Sequence, residues 1–271
     1  MLAKRFVINN PNNPESPHES DQATWEVPYI QFPGLSRQAG LSHAVYTRLG
    51  GVSDPPYRSL NTSYVTGDRP DDIQKNLTII KNSFGADHLF SMHQVHGKNI
   101  IVLREGKSFD PVASLPGDAL ITDMKGVALL VKQADCQAVI IFDPLAGVIS
   151  NVHCGWRGNR VNILEAVVER MQSDFGCRAS RLQAAIGPSL GPCCAEFVTH
   201  RELFPDHFRS FMVRPDYFDL WQISRDQLLQ AGLEKQNIET AGICTRCRTD
   251  LFYSYRAEGT TGRFATVVMM R

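Results

Sequence analysis

Apolar positions along this 271-residue chain fall into two repeating patterns. Short runs rich in Val, Ile, Leu and Ala occupy 118–122, 127–132, 137–142 and 147–153, separated by Lys125-Gly126, Asp143-Pro144 and Ala146-Gly147. Runs of this length, bounded by turn residues, predict buried strands of a mixed or antiparallel sheet. Further strands are predicted at 43–47, 99–103, 183–186 and 264–269. The second pattern is helical. Residues 71–84 begin with acids at the positive end of a helix. Val161, Leu164, Val168 and Met171 recur at three- and four-residue steps and so define one apolar face. A third helix is predicted over 224–231, with Ser224 as its cap. Strands outnumber helices but both recur, which predicts an α/β sandwich with a central β layer.

Residues 8–24 are rich in Asn, Pro, Ser and acids with no apolar period, so 1–24 is expected to be a flexible leader. No second linker of that kind follows, and one domain over 25–271 is expected.

Composition narrows the function classes. Lys and Arg number 28 and Asp and Glu 28, so no overall field favours a nucleic-acid backbone or an anionic membrane. The longest apolar runs are far shorter than the ~20 residues of a membrane helix. No basic segment followed by an apolar core opens the chain, and a cytoplasmic protein acting on a small molecule is expected. Seven cysteines at scattered positions do not make a disulfide framework, so reduced thiols are the expectation.

The candidate chemistry lies at the ends of predicted strands. His93 and His96 sit in MHQVHG, Cys136 in KQADCQAV, and His153 and Cys154 in NVHCGWRGN. Strand ends that share a sheet edge can bring distant residues to one point. Imidazole and thiolate are ligands that zinc prefers, and three of them leave a position open for substrate or water. With eight histidines and seven cysteines, however, composition alone would supply such triples.

The words HQVHG, GDALIT, ADC before an apolar strand, VHCGWRGN, AIGPSLGPCC and FYSYRAEGTTGR occur in an order that resembles the YfiH-type laccase-domain family. That family is also called polyphenol-oxidase-like or purine nucleoside phosphorylase. The similarity runs from about Tyr46 to Arg271. It implies an α/β/β/α sandwich of mixed sheets and a metal held by His96, Cys136 and His153, with zinc expected and copper the alternative. It further implies phosphorolysis of adenosine, inosine and methylthioadenosine, and deamination of adenosine. The expected partners are therefore a purine nucleoside and phosphate. For these reactions Cys136 and its neighbour Asp135, as proton carrier, are the catalytic candidates. Arg48, which precedes the Gly50-Gly51 turn, is the candidate for the phosphate. Asn61 and Arg157 are candidates for the sugar or the phosphate.

Competing readings are copper-dependent phenol oxidation, a cysteine hydrolase with Cys136 as nucleophile and His153 as base, and a metal-binding module without activity. Cys154 stands where many relatives have Ala, and Gln133 where many have Thr. A second thiol beside a ligand would shift metal preference toward copper or ease oxidation. His93 is read as supporting the site or packing. Cys244 and Cys247 form a lone CxxC whose partners would have to be the adjacent Cys193 and Cys194, a poor tetrahedral set, so packing is the expectation for all four.

Overall fold

The computed structural model describes residues 8–9, 27–105 and 115–271. Two six-stranded sheets carry the fold. Across the first, the order is β1 (Ile8–Asn9), β2 (Tyr29–Ile30), β3 (Leu41–Tyr46), β14 (Phe264–Met270), β7 (Val127–Gln133) and β4 (His88–Phe90). Across the second it is β13 (Ile238–Thr240), β10 (Gln183–Ile186), β8 (Gln137–Asp143), β9 (Val148–Cys154), β6 (Ala119–Thr122) and β5 (Ile100–Leu103). Strands β11 (Met212–Arg214) and β12 (Tyr217–Phe218) form a separate two-stranded ribbon.

Alternation along the strands builds the layers. Leu129 and Val131 of β7 and Val268 and Met270 of β14 face Leu120, Ala138, Ile140 and Ile149 of the second sheet. Their neighbours Ala128, Leu130, Ala265 and Val267 turn the other way, onto Ile80 and Phe84 of the helix Pro70–Phe84. On the far side, Ile121, Val139, Ile141 and Val152 pack against Leu164, Val167, Val168 and Met171 of the helix Ile163–Phe175. The order is therefore α/β/β/α, mixed in strand direction. Both faces of the central strands are covered, which is why they read as unbroken apolar runs. Asn151 of β9 crosses the inter-sheet layer and donates to the carbonyls of Leu129 and Thr266, both at 2.9 Å, a polar tie between the two sheets.

Two helix boundaries differ from the sequence reading. The helix expected over 224–231 runs Leu220–Gln230, and its cap is Asp219, whose carboxylate accepts from the Gln222 N–H. Ser224 is buried in that helix and donates to the Gln137 side chain at 2.6 Å. After β9 a short helix, Trp156–Arg160, fills the stretch between the strand and the helix predicted from Val161. Val161 ends it and is exposed, so the apolar face of the next helix begins at Ile163. Of the leader 1–24, Ile8 and Asn9 pair with β2; the rest lies outside the described residues. Among the described residues no helix is long and apolar enough to cross a membrane.

Candidate functional site

Strand register brings the histidines and the cysteine together. In the β8–β9 hairpin Ala138 lies opposite His153 and Gln137 opposite Cys154, so Cys136, one residue before β8, ends beside the His153 side chain. Cys136 also lies on the corner where the chain leaves β7 in one sheet and enters β8 in the other. That corner needs a left-handed residue, and Asp135 supplies it with φ 84°. Strand β6 flanks β9 from the other side, and the His153 N–H donates to the Asp118 carbonyl at 2.7 Å. His96 arrives on the loop between β4 and β5, itself in a left-handed turn at φ 59°.

One donor atom from each of His96, Cys136 and His153 lies within 4.8 Å of the other two. The Cys136 Sγ to His96 Nε2 distance is 3.9 Å, close to the ~3.6 Å separating a sulfur and a nitrogen on one tetrahedral zinc. His153 is buried, Cys136 half-buried and His96 exposed, so an ion there has solid protein on one side and an approach on the other. The donor set fits zinc, and its thiolate also suits copper.

Asp118 organises this group. Its side chain is fully buried, and Oδ1 accepts from the His96 N–H at 2.9 Å and from His153 Nδ1 at 2.8 Å. Oδ2 accepts from the Gly97 N–H at 2.7 Å. With its Nδ1 proton committed to Asp118, His153 has Nε2 as the nitrogen that takes a metal once its second proton leaves. Burial alone would raise the Asp118 pKa, but the His153 hydrogen bond, the backbone donors and the His153 charge hold it below the usual range. Burial would likewise raise the Cys136 thiol, yet His153 and His96 outweigh it and bring it down to about 6. Burial pushes His153 the other way, and the Cys136 and Asp118 charges lift it to about 9. Cys136 is therefore a thiolate near neutral pH, the form that binds metal.

Gly155 makes room for that sulfur. A Cβ at this position would lie 2.6 Å from Cys136 Sγ. Cys154 is fully buried in the core under the helix Ile163–Phe175, and burial pushes its thiol well up. It is not part of the donor group, so the expected influence of a second thiol on the metal has no geometric basis.

The donor atoms open into a cavity of about 1240 Å³. Trp156, Phe197 and Tyr255 give it aromatic lining, and Lys132, Arg157, Arg256 and Arg263 give it positive charge. Exposed Arg157 lies over the Trp156 ring at 4.8 Å, and Arg256 over Phe197 at 5.3 Å. Burial lowers the Lys132 ammonium to about 8. His93 also lines the cavity but stands outside the donor group.

Other expected site residues have different places. Asp135 lines the cavity, but both its carboxylate oxygens are engaged: Oδ1 accepts from Thr245 and Ser254, each at 2.7 Å, and Oδ2 from the Arg256 N–H at 2.6 Å. Through these bonds it ties three segments together. Arg48 is not among the lining residues; its guanidinium pairs with Glu258 at 2.8 Å and lies over Tyr253. Asn61 is also behind the wall, donating to Asp68 and accepting from the Arg263 N–H at 2.8 Å, so it positions Arg263. Lys132, Arg256 and Arg263, which line the cavity, and Asp118, which bonds the donor group, were not singled out from the sequence. Asp118 stands in GDALIT and the two arginines in FYSYRAEGTTGR, so those words held the signal; Lys132, inside an apolar strand, was itself one.

Residues 42–271 match the family described as "Multi-copper polyphenol oxidoreductase laccase". A relative from Escherichia coli named "Purine nucleoside phosphorylase YfiH" is 32% identical, over 88% of this chain and 97% of its own length. The "Purine nucleoside phosphorylase" of Deinococcus radiodurans is 33% identical, over 89% and 92% respectively. Among solved structures, YlmD from Geobacillus stearothermophilus superposes with a TM-score of 0.81 at 28% identity, covering 94% of this chain and 98% of that one.

Proposed function

We propose a nucleoside-cleaving function from a plain premise: the chain belongs to the multi-copper polyphenol oxidoreductase laccase family, among whose members its relatives are named purine nucleoside phosphorylases. The reading is a metal-dependent phosphorylase for adenosine, inosine and methylthioadenosine that also deaminates adenosine. The observation that carries it is the junction of the His96, Cys136 and His153 donor group with a cavity that is aromatic on some walls and cationic on others. Phosphorolysis needs both. The purine is an aromatic plate that stacks on Trp156, Phe197 or Tyr255. The phosphate is an anion that Arg157, Arg256 and Arg263 bind, with Lys132 adding charge when protonated. Asp118 keeps both histidines aimed, and Asp135 and Asn61 fix the backbone that carries Arg256 and Arg263.

His96, Cys136 and His153 would hold zinc, or copper as the alternative ion, and the bound ion would supply Lewis acidity to the cavity. In phosphorolysis the bond from ribose to base breaks, a phosphate oxygen takes its place on the sugar, and the free base leaves with a proton. In deamination water replaces the amino group of the adenine ring and ammonia leaves. Both fit a reducing, cytoplasmic setting, in which none of the seven cysteines is paired in a disulfide. Phenol oxidation is less well served, because the second donor cluster among the described residues contains no histidine. The test is metal content together with product analysis on inosine plus phosphate. The wild type is expected to bind metal at the His96, Cys136 and His153 donors and release hypoxanthine, and Cys136→Ala to release none and to carry one metal equivalent fewer; a mutant with the wild type's full metal content contradicts the reading.

A further inference from the structure

We propose that Cys193, Cys194, Cys244 and Cys247 hold a second, structural zinc ion as a closed tetrathiolate, at a site separate from the catalytic donors and independent of the function proposed above. Topology brings the four together. Strands β10 and β13 are parallel neighbours, with Ala184 opposite Ile238 and Ile186 opposite Thr240. The loops that follow them therefore leave the sheet side by side, and a bridge from Ser189 to Cys244 extends the pairing. One loop then makes the Gly191-Pro192-Cys193-Cys194 turn, closed by the Cys194 and Ala195 N–H groups on the Gly191 carbonyl. The other makes the Cys244-Thr245-Arg246-Cys247 turn, closed by the Arg248 N–H on the Cys244 carbonyl.

All four sulfurs lie within 4.8 Å of one another. Cys247 Sγ is 3.6 Å from Cys193 Sγ and 3.5 Å from Cys194 Sγ. A tetrahedral zinc with bonds of ~2.3 Å separates its sulfurs by ~3.8 Å, so these spacings are those of a metal site. The neighbouring cysteines, a poor set when judged along the chain, both reach one point because the turn folds them against the CxxC. A disulfide would use two sulfurs at ~2.05 Å and leave the other two stranded. An iron–sulfur cluster distributes its cysteines over more than one iron and spreads them wider. The surroundings suit a dianionic centre: the Gly191 N–H points at Cys244 Sγ at 3.3 Å, and the Arg246 guanidinium hydrogen-bonds Cys194. Gly191 leaves space for the packing, since a Cβ there would come 3.0 Å from the Cys244 Cβ.

The site would brace the catalytic wall. Thr245, between the two cysteines of the CxxC, donates to Asp135, and the Leu190 N–H donates to the Asp135 carbonyl, one residue from Cys136. Binding removes one proton from each thiol and joins the two loops, so its free energy adds directly to folding.

The test counts zinc on full-length protein purified under reducing conditions with zinc supplied. Two equivalents per chain are expected for the wild type, and one each for Cys136→Ser and for the double variant Cys193→Ser/Cys247→Ser, the latter with a lowered Tm. Should the double variant fail to fold, the Cys136→Ser protein decides alone: its remaining zinc is expected to show a shell of four sulfurs at ~2.3 Å by X-ray absorption. Zinc missing from that protein, a shell containing nitrogen or oxygen, or a disulfide among these four cysteines in the wild type would overturn the proposal.

Discussion

Replacing Asp118 by Asn keeps the shape of the side chain and removes its charge, which isolates the carboxylate's part in holding the metal. Three donors converge on it: two on Oδ1, from His96 N–H and His153 Nδ1, and one on Oδ2, from Gly97 N–H. An amide has a single oxygen, so at best it faces the Oδ1 pair and turns its NH₂ toward the Gly97 N–H. One hydrogen bond to a charged acceptor is then lost, at about 1.5–3 kcal/mol, and two buried donors confront each other. In the opposite orientation the NH₂ meets His153, which must move its proton to Nε2 and so block the metal-facing lone pair. Either way the metal-free protein loses about 2 kcal/mol, or ~4–8 °C in Tm for a chain of this size. Zinc affinity falls by about 10–100-fold, the usual consequence of removing a partner of a ligating histidine. Affinity is measured by competition with a chromophoric chelator, and Tm on the stripped protein. An Asn variant that binds zinc within twofold of wild type would refute the assignment of Asp118 as the organiser of the site.

Gly155→Ala is expected to lose the one metal equivalent held by His96, Cys136 and His153 while the fold survives, because the new methyl lies 2.6 Å from Cys136 Sγ and must push it off the donor point; normal metal content would count against that contact. Lys132 gives a pH test. Burial holds it down to about 8, so between there and its unfolded value near 10.4 the unfolded chain keeps a proton that the fold has released, and stability rises with pH across that window. Lys132→Met is expected to remove this rise and to stabilise the phosphate-free protein at pH 7 by up to about 3 kcal/mol, read from denaturant titrations at pH 7 and 10; an unchanged pH slope would show that the ammonium is not buried. Arg157→Ala should raise the KM for phosphate about tenfold with little change in that for inosine, and an equal rise in both would remove Arg157 from the anion subsite.

The layers of the fold were legible because burial on both faces writes strands as apolar runs, and β6 to β9 were placed within a residue or so. Helix starts were less legible. Ser224 resembles a cap by residue type, yet it lies inside the helix because a buried acceptor on Gln137 uses its hydroxyl. The donor triad was readable as candidate residues, but its convergence rests on register between β8, β9 and β6, which pairs residues far apart in sequence. Asp118 escaped notice for the same reason, since its link to His153 crosses a sheet. Arg48 was a candidate because of the Gly50-Gly51 turn beside it and Asn61 because of its polar side chain, and in the fold Glu258, Asp68 and the Arg263 backbone engage their polar atoms. The four-cysteine cluster was discounted because adjacency along the chain says little about how a turn aims two sulfurs.

Phosphorolysis on the His96, Cys136 and His153 floor is tested most directly by following inosine and inorganic phosphate with the zinc-loaded protein, using phosphorus NMR alongside base analysis. Ribose 1-phosphate and hypoxanthine are expected to appear in equal amounts, and neither when Cys136 is replaced by Ala. Free ribose in place of the sugar phosphate, or undiminished product from the Cys136→Ala protein, would contradict it.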